Sequence, residues 1–145
     1  MYLQITLGTG AFLNINTGTK CRGLKSGGYP LVGWSFRAAG KIPKIAFFLE
    51  KGFNETGVLI RFAQTVGLCS EPRELSDLAS SVQDCDGVTF VPKFSNNGIT
   101  GFTGFKSSTT KEHLVRAVLE SIVFTVADLF FSLKEESNFA SDKIR

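Results

Sequence analysis

The chain opens on an alternation. Leu3, Ile5 and Leu7 are separated by Gln4 and Thr6, and the run stops at Gly8-Thr9-Gly10. Phe12, Leu13 and Ile15 follow before an Asn16-Thr17-Gly18 turn. Period-two alternation marks half-buried strands, so the first eighteen residues predict strand, tight turn, strand. Two glycines around a small hydroxyl residue permit unusual backbone dihedrals in that turn. A polar loop from Lys20 to Tyr29 leads to a third predicted strand over residues 30–36 and a fourth over 42–49, with Pro43 near its start, where the missing N–H costs least. Short connections predict an antiparallel meander.

The period then changes. Asn54-Glu55-Thr56-Gly57 opens a helix in which Val58, Leu59, Phe62, Ala63 and Val66 recur at helical spacing, and Gly67 closes it. Residues 72–79 predict a second, short helix with Pro72 early and acids in its first turns. Asp86-Gly87 is a turn. Residues 88–92 read as a short strand at or beside the centre of a sheet, and residues 94–108 as a loop rich in Gly and Ser. Thr109 and Glu112 have the spacing of a capping box ahead of a long helix. Leu114, Val118, Ile122, Val126, Leu129 and Leu133 form its apolar stripe, and Glu112, Arg116 and Glu120 an exposed ladder of ion pairs. Residues 135–145 are polar and predict a frayed tail. Strands, helix, helix, strand, helix make an α/β fold, organised as one partial domain over residues 1–134.

Composition narrows the function classes. Hydrophobic residues at 43% and charged residues at 20% place these 145 residues among globular chains. Fourteen Phe residues predict an aromatic-rich core. A net charge of +3 without a basic run gives no nucleic-acid footprint. Cys21, Cys69 and Cys85 are odd in number and widely spaced, which argues against a disulfide framework or zinc site and for a reducing, cytoplasmic compartment. The single histidine, His113, leaves no His-based metal cluster. No leader peptide or membrane-length apolar span is expected; the richest segment is broken by Arg116, Glu120 and Asp128.

The candidate chemistry is phosphate holding. Gly8, Thr9 and Gly10 offer backbone amides and one hydroxyl to an anion, although the residues alone favour a plain hairpin turn. The helix start at Thr56-Gly57 offers free amides and a positive dipole end, with Arg61 one turn further on; an ordinary N-cap is the competing reading. No Gly-Lys-Ser/Thr follows a four-residue spacer, so the Walker pattern is excluded. Glu50, read at the end of the fourth strand, is the best-placed carboxylate for a general base. Asp84 and Asp86 look like turn formers, and His113 like a capping or packing residue.

Taken in order, these segments resemble the FGGY carbohydrate kinases, and among them the glycerol kinase-like members. Gly8 to Gly18 resembles the family's Gly-Thr-Gly phosphate hairpin, and residues 29–34 the strand after it. Glu50 with residues 56–63 resembles the next strand end and helix. Residues 87–95 resemble the segment written "GVYFVPAFSG" in the family, and Gly104 with residues 113–124 the second signature and its helix. The resemblance implies part of an actin-like, ribonuclease H-like ATPase fold, with MgATP-dependent phosphorylation of glycerol or a related polyol. It implies ATP contacts at Thr9, Gly10 and Gly57. It suggests one also at Arg61, which occupies a position that is Gln in typical glycerol kinases. A homo-oligomer is compatible with it. It departs from the family between Ser95 and Gly104, where a short Asn96-Asn97-Gly98-Ile99-Thr100 stands for a longer loop, and at Phe105, where an aliphatic is usual. The catalytic aspartate of the "GDQQA" type and the first phosphate loop are expected to lie outside these residues. The chain alone is therefore expected to be inactive, or else a non-catalytic actin-fold module with weak nucleotide binding.

Overall fold

The computed structural model describes residues 3–37, 39–94 and 100–137. The readings placed on residues 95–99 and on the tail from 138 onward lie outside these. The chain forms two compact units, one made of Met1–Asn54 and Val126–Arg145, the other of Glu55–Thr125.

The first unit is built on a four-stranded antiparallel sheet of β1 (Leu3–Leu7), β2 (Ala11–Gly18), β3 (Tyr29–Phe36) and β4 (Lys44–Phe53), in the order β1-β2-β4-β3. The predicted alternation sets which face is buried: Leu13 and Ile15 point into the core with Leu3 and Leu49. That aliphatic face is covered by the last turns of α3 (Lys111–Ser137), which bring Leu133 into the cluster and pack Val126, Leu129 and Phe130 against it. Lys51 is on the same side, nine-tenths buried, and its Nζ donates to the hydroxyls of Ser26 and Ser132. Glu136 accepts from the backbone N–H groups of Lys25 and Ser26 (2.8 and 3.1 Å). α3 thus continues to Ser137, past the point where a frayed tail was expected. β4 begins and ends later than expected. Lys44, the first residue after Pro43, pairs with Phe36, and Lys51, Gly52 and Phe53 continue the ladder because β2 supplies partners as far as Ala11. β3 is an edge strand and exposed along its whole length.

The second unit holds α1 (Thr56–Thr65), α2 (Glu74–Ser80), the hairpin of β5 (Thr89–Val91) with β6 (Gly101–Thr103), and the first turns of α3. Gly67 takes φ +77°, and the Leu68 N–H reaches the Ala63 carbonyl at 2.8 Å, which closes α1 with a left-handed residue as its sequence predicts. The core is aliphatic rather than aromatic-rich as composition predicts: among the described residues Phe90 is the one buried phenylalanine, with half-buried Phe62 of α1 stacked on it at 5.3 Å and Phe102 meeting it at 4.7 Å.

Three expectations are corrected here. β5 belongs to a two-stranded sheet rather than to the centre of a larger one, and β6 lies inside the segment read as loop; the Phe90–Phe102 contact, a tertiary feature, pairs them. The capping box is displaced by one residue: the Thr110 N–H donates to Nδ1 of His113 at 3.0 Å, so His113 has the capping role, while Thr109 accepts from the Lys106 N–H. Of the expected exposed ion-pair ladder the Arg116–Glu120 rung forms, but Arg116 also acts as a clamp. Arg116 pairs with Glu120 at 2.8 Å and also donates to the carbonyls of Ala79 and Val82, at 3.3 and 2.9 Å, taking up acceptors at the end of α2.

Candidate functional site

The Gly8-Thr9-Gly10 turn joins β1 to β2, with Leu7 opposite Ala11. The Gly8 N–H donates to the Gly10 carbonyl at 2.8 Å. Neither glycine has a left-handed φ, so dihedral freedom is not why they are there. Space is. A Cβ on Gly10 would stand 2.8 Å from the Phe12 ring and 3.0 Å from the Phe53 carbonyl oxygen, whereas a Cβ on Gly8 would meet nothing within 4 Å. Gly10 is a close-approach glycine held under Phe12, and Gly8 leaves the outer side of the turn open. Thr9 is exposed at the tip, and its hydroxyl is engaged by no described residue. The turn therefore presents a backbone edge and a free hydroxyl that a phosphate oxygen can approach.

The second unit has its own anion-receptive feature. Glu55 occupies the N-cap of α1 but gives its first turn no side-chain cap bond, and first-turn amides at a positive dipole end are ready donors. Thr56 is 8% exposed, and its Oγ1 has no hydrogen-bond partner among the described residues. Buried hydroxyls are rarely left so. Gly57 comes next and is partly exposed; Arg61, one turn on, is exposed and enters no ion pair among the described residues. Thr9 and Gly10 thus share one turn in the first unit, and Gly57 and Arg61 share α1 in the second. The sequence singled out the Thr56-Gly57 helix start for its amides and dipole; the buried, unpartnered Thr56 hydroxyl is what the structure adds.

The carboxylate candidates are otherwise engaged. Glu50 lies inside β4, not at its end, and accepts the Tyr29 hydroxyl at 2.7 Å, a bond that pushes the Tyr29 phenol up from its ordinary value. Asp86, at φ +50°, accepts from the Ser108 hydroxyl (2.6 Å) and from Lys106 Nζ (2.9 Å), first the one and then the other holding its carboxyl below the usual range. Its N–H donates to Asp84 Oδ1 at 2.7 Å, as turn formers do. Among the described residues, no group of three or more His, Cys, Asp or Glu gathers as a metal site, and no helix is long and apolar enough to cross a membrane.

Residues 3–145 match the C-terminal domain of the FGGY family of carbohydrate kinases. The chain belongs to this family. Its relatives include proteins named glycerol kinase 5, from Danio rerio at 42% identity and from Homo sapiens at 37%, each match covering 99% of this chain and 28% of the relative. The Plasmodium falciparum glycerol kinase, solved with ADP, superposes with a TM-score of 0.83 at 28% identity over 95% of this chain and 28% of that one. A xylulose kinase from Lactobacillus acidophilus superposes at 0.67 with 19% identity, covering 91% of this chain and 27% of that one. The α/β fold is accordingly that of FGGY kinases, part of the actin-like, ribonuclease H-like ATPase fold. The chain spans about 28% of the length of the relatives it matches.

Proposed function

We propose that this chain supplies the phosphate-holding hairpin and a nucleotide-contacting helix start of a glycerol kinase-like enzyme. The reaction is attack of a polyol hydroxyl, glycerol first among candidates, on the γ-phosphorus of ATP. The bond to the β-γ bridging oxygen breaks, ADP leaves, and the hydroxyl proton passes to a base. The observation that carries the reading is the open Gly8-Thr9-Gly10 turn in a chain 42% identical to a glycerol kinase 5. Thr9 and Gly10 hold the transferring phosphate through backbone and hydroxyl donors, which is where such transfers gain most. On α1, Gly57, with the unpartnered Thr56 hydroxyl beside it, is a nucleotide-contacting position in its own right, and Arg61 adds charge there. Magnesium is expected to accompany ATP, but the described residues offer no ligand set for it, so no step is derived through it. With Glu50 and Asp86 engaged, the base is assigned to a residue outside this chain. A cytoplasmic location and self-association belong to the same reading.

Calorimetric titration with MgADP is the test. The chain is expected to bind, and Thr9→Val and Gly57→Val to weaken binding about tenfold or more, a loss of roughly 1.4 kcal/mol. Absence of binding, or binding indifferent to both variants, would sink the proposal. The isolated chain is expected to show no ATP-dependent glycerol phosphorylation, and measurable turnover would overturn the placing of the base outside it.

A further inference from the structure

The charges of the chain are unevenly placed. The first forty-nine residues carry six cations, Lys20, Arg22, Lys25, Arg37, Lys41 and Lys44, and no Asp or Glu. Every acid lies from Glu50 onward, where acids outnumber Lys and Arg. Charge asymmetry along a chain points to an anionic partner such as a nucleic acid or a membrane. Half of those cations flank one connection. β4 outruns β2: Phe47 pairs with Gly18, whereas Ala46, Ile45 and Lys44 have partners only on β3, in Trp34, Ser35 and Phe36. The β3–β4 hairpin therefore projects past β2 as two strands. Its tip carries Arg37, Lys41 and Lys44 beside Phe36 and Ile42, which are 67% and 90% exposed. Phe36, Lys41, Ile42 and Lys44 line one recess of about 170 Å³.

We propose that the tip of this hairpin docks on an anionic membrane surface, with Phe36 and Ile42 entering the headgroup layer and Arg37, Lys41 and Lys44 meeting the lipid phosphates and carboxylates.

The combination of chemistries selects the partner. Exposed apolar side chains rimmed by charge mark an interaction surface. An isoleucine gains nothing from the phosphates of a nucleic acid, and a two-stranded tip offers far less than the roughly 800 Å² per partner of a stable protein interface. A bilayer interface asks only for shallow insertion. Apolar residues enter the acyl boundary while Lys and Arg keep their charged heads at the level of the phosphates. Arg37, Lys41 and Lys44 enter no salt bridge among the described residues, and no acid stands between Tyr29 and Leu49 to oppose the attraction. The Gly8-Thr9-Gly10 turn lies past the other end of β4, where Ala11 pairs with Phe53. Ten residues of strand separate the two ends, about 30 Å, so docking and phosphate holding use opposite ends of the sheet.

The 145-residue chain is sedimented with vesicles of phosphatidylcholine, alone or with about a third phosphatidylserine. Binding to the anionic vesicles is expected to be about tenfold tighter or more than to the neutral ones, and to fall about tenfold between about 0.1 M and about 0.5 M salt. Ile42→Asn and Lys41→Glu should each weaken it about fivefold. Both positions are exposed, so the far-UV spectrum should stay that of the wild type. Lys93→Glu makes the same change in net charge at an exposed position of the second unit and should alter binding by less than about twofold. Equal binding to neutral vesicles, an equal loss in Lys93→Glu, or no loss in Ile42→Asn overturns the proposal. Displacement from the vesicles by millimolar inorganic phosphate would show a phosphate site rather than a lipid surface and overturn it too. So would tighter binding to a single-stranded oligonucleotide, or, in place of vesicle binding, a concentration-dependent dimer that Ile42→Asn abolishes.

Discussion

Gly104 packs so closely on Gly87 that a Cβ added to Gly104 would stand 2.2 Å from the Gly87 carbonyl oxygen. Both residues have left-handed φ values, +83° and +82°, so two glycine requirements meet at one contact. Gly104→Ala is expected to cost about 3 kcal/mol or more in urea unfolding. Gly27→Ala is the control. It shares the positive φ but has nothing within 4 Å, and should cost only about 1–2 kcal/mol. Equal losses would show that backbone strain, not the contact, makes Gly104 necessary.

Arg116 is expected to matter more as a donor to carbonyls than as half of an ion pair. Arg116→Ala strips the acceptors at Ala79 and Val82 of their charged donor and should destabilise by about 2–3 kcal/mol. Glu120→Gln weakens only a half-exposed pair and should stay below about 1 kcal/mol. Chemical denaturation of both variants checks the order, which a reversal would contradict.

Glu136 titrates below its usual range because the Ser26 side chain and the N–H groups of Lys25 and Ser26 hydrogen-bond its ionised form, with Lys51 adding attraction. A folded-state value lower than the unfolded one means stability that is fully present above about pH 4.5 and lost as pH falls through the folded value. The thermal midpoint of the wild-type chain should therefore fall more steeply than that of Glu136→Gln on acidification below pH 4.5. Parallel pH profiles would remove Glu136 from the acid response.

The three cysteines are free and differ in environment: Cys21 is exposed, Cys69 and Cys85 buried. Burial, and then the hydrogen bond with Glu120, push the Cys85 thiol up to about 11, so at pH 8 only about one molecule in a thousand carries the thiolate that reacts. Burial raises Cys69 as well. Maleimide at pH 8 should add one label quickly, at Cys21, and three after denaturation, as intact mass reports. Labelling of Cys85 at the rate of Cys21 would contradict the buried placement.

The parts of the fold that were legible are those whose residues report on themselves. β1, β2 and α1 follow from alternation and helical spacing, and Gly67 is a stop signal that needs no tertiary partner. β6 was not legible: Gly101-Phe102-Thr103 is too short for a period and is paired by Phe102 meeting Phe90. The capping of α3 was off by one because Thr109 and Thr110 have the same propensity, and only the backbone path selects His113 as partner. At the candidate site the hairpin was readable, but the reason for Gly10 was not. The crowding there comes from the Phe12 ring folding back over the turn and from the carbonyl of Phe53, more than forty residues along the chain. Glu50 was misjudged because the end of β4 depends on how far β2 runs alongside it.

α3 has a consequence in time. Leu133, which closes the aliphatic cluster of Leu3, Leu13, Ile15 and Leu49, lies some eighty residues beyond the end of β4. At ribosomal rates of roughly 5–20 residues per second, the sheet would wait about 4–16 seconds for its cover. The unit Glu55–Thr125 is made in a single stretch within that interval and can settle first. β1 and β2 are thus made well before the helix end that shields them, and a nascent chain halted before Leu133 is the form that chaperones should recognise.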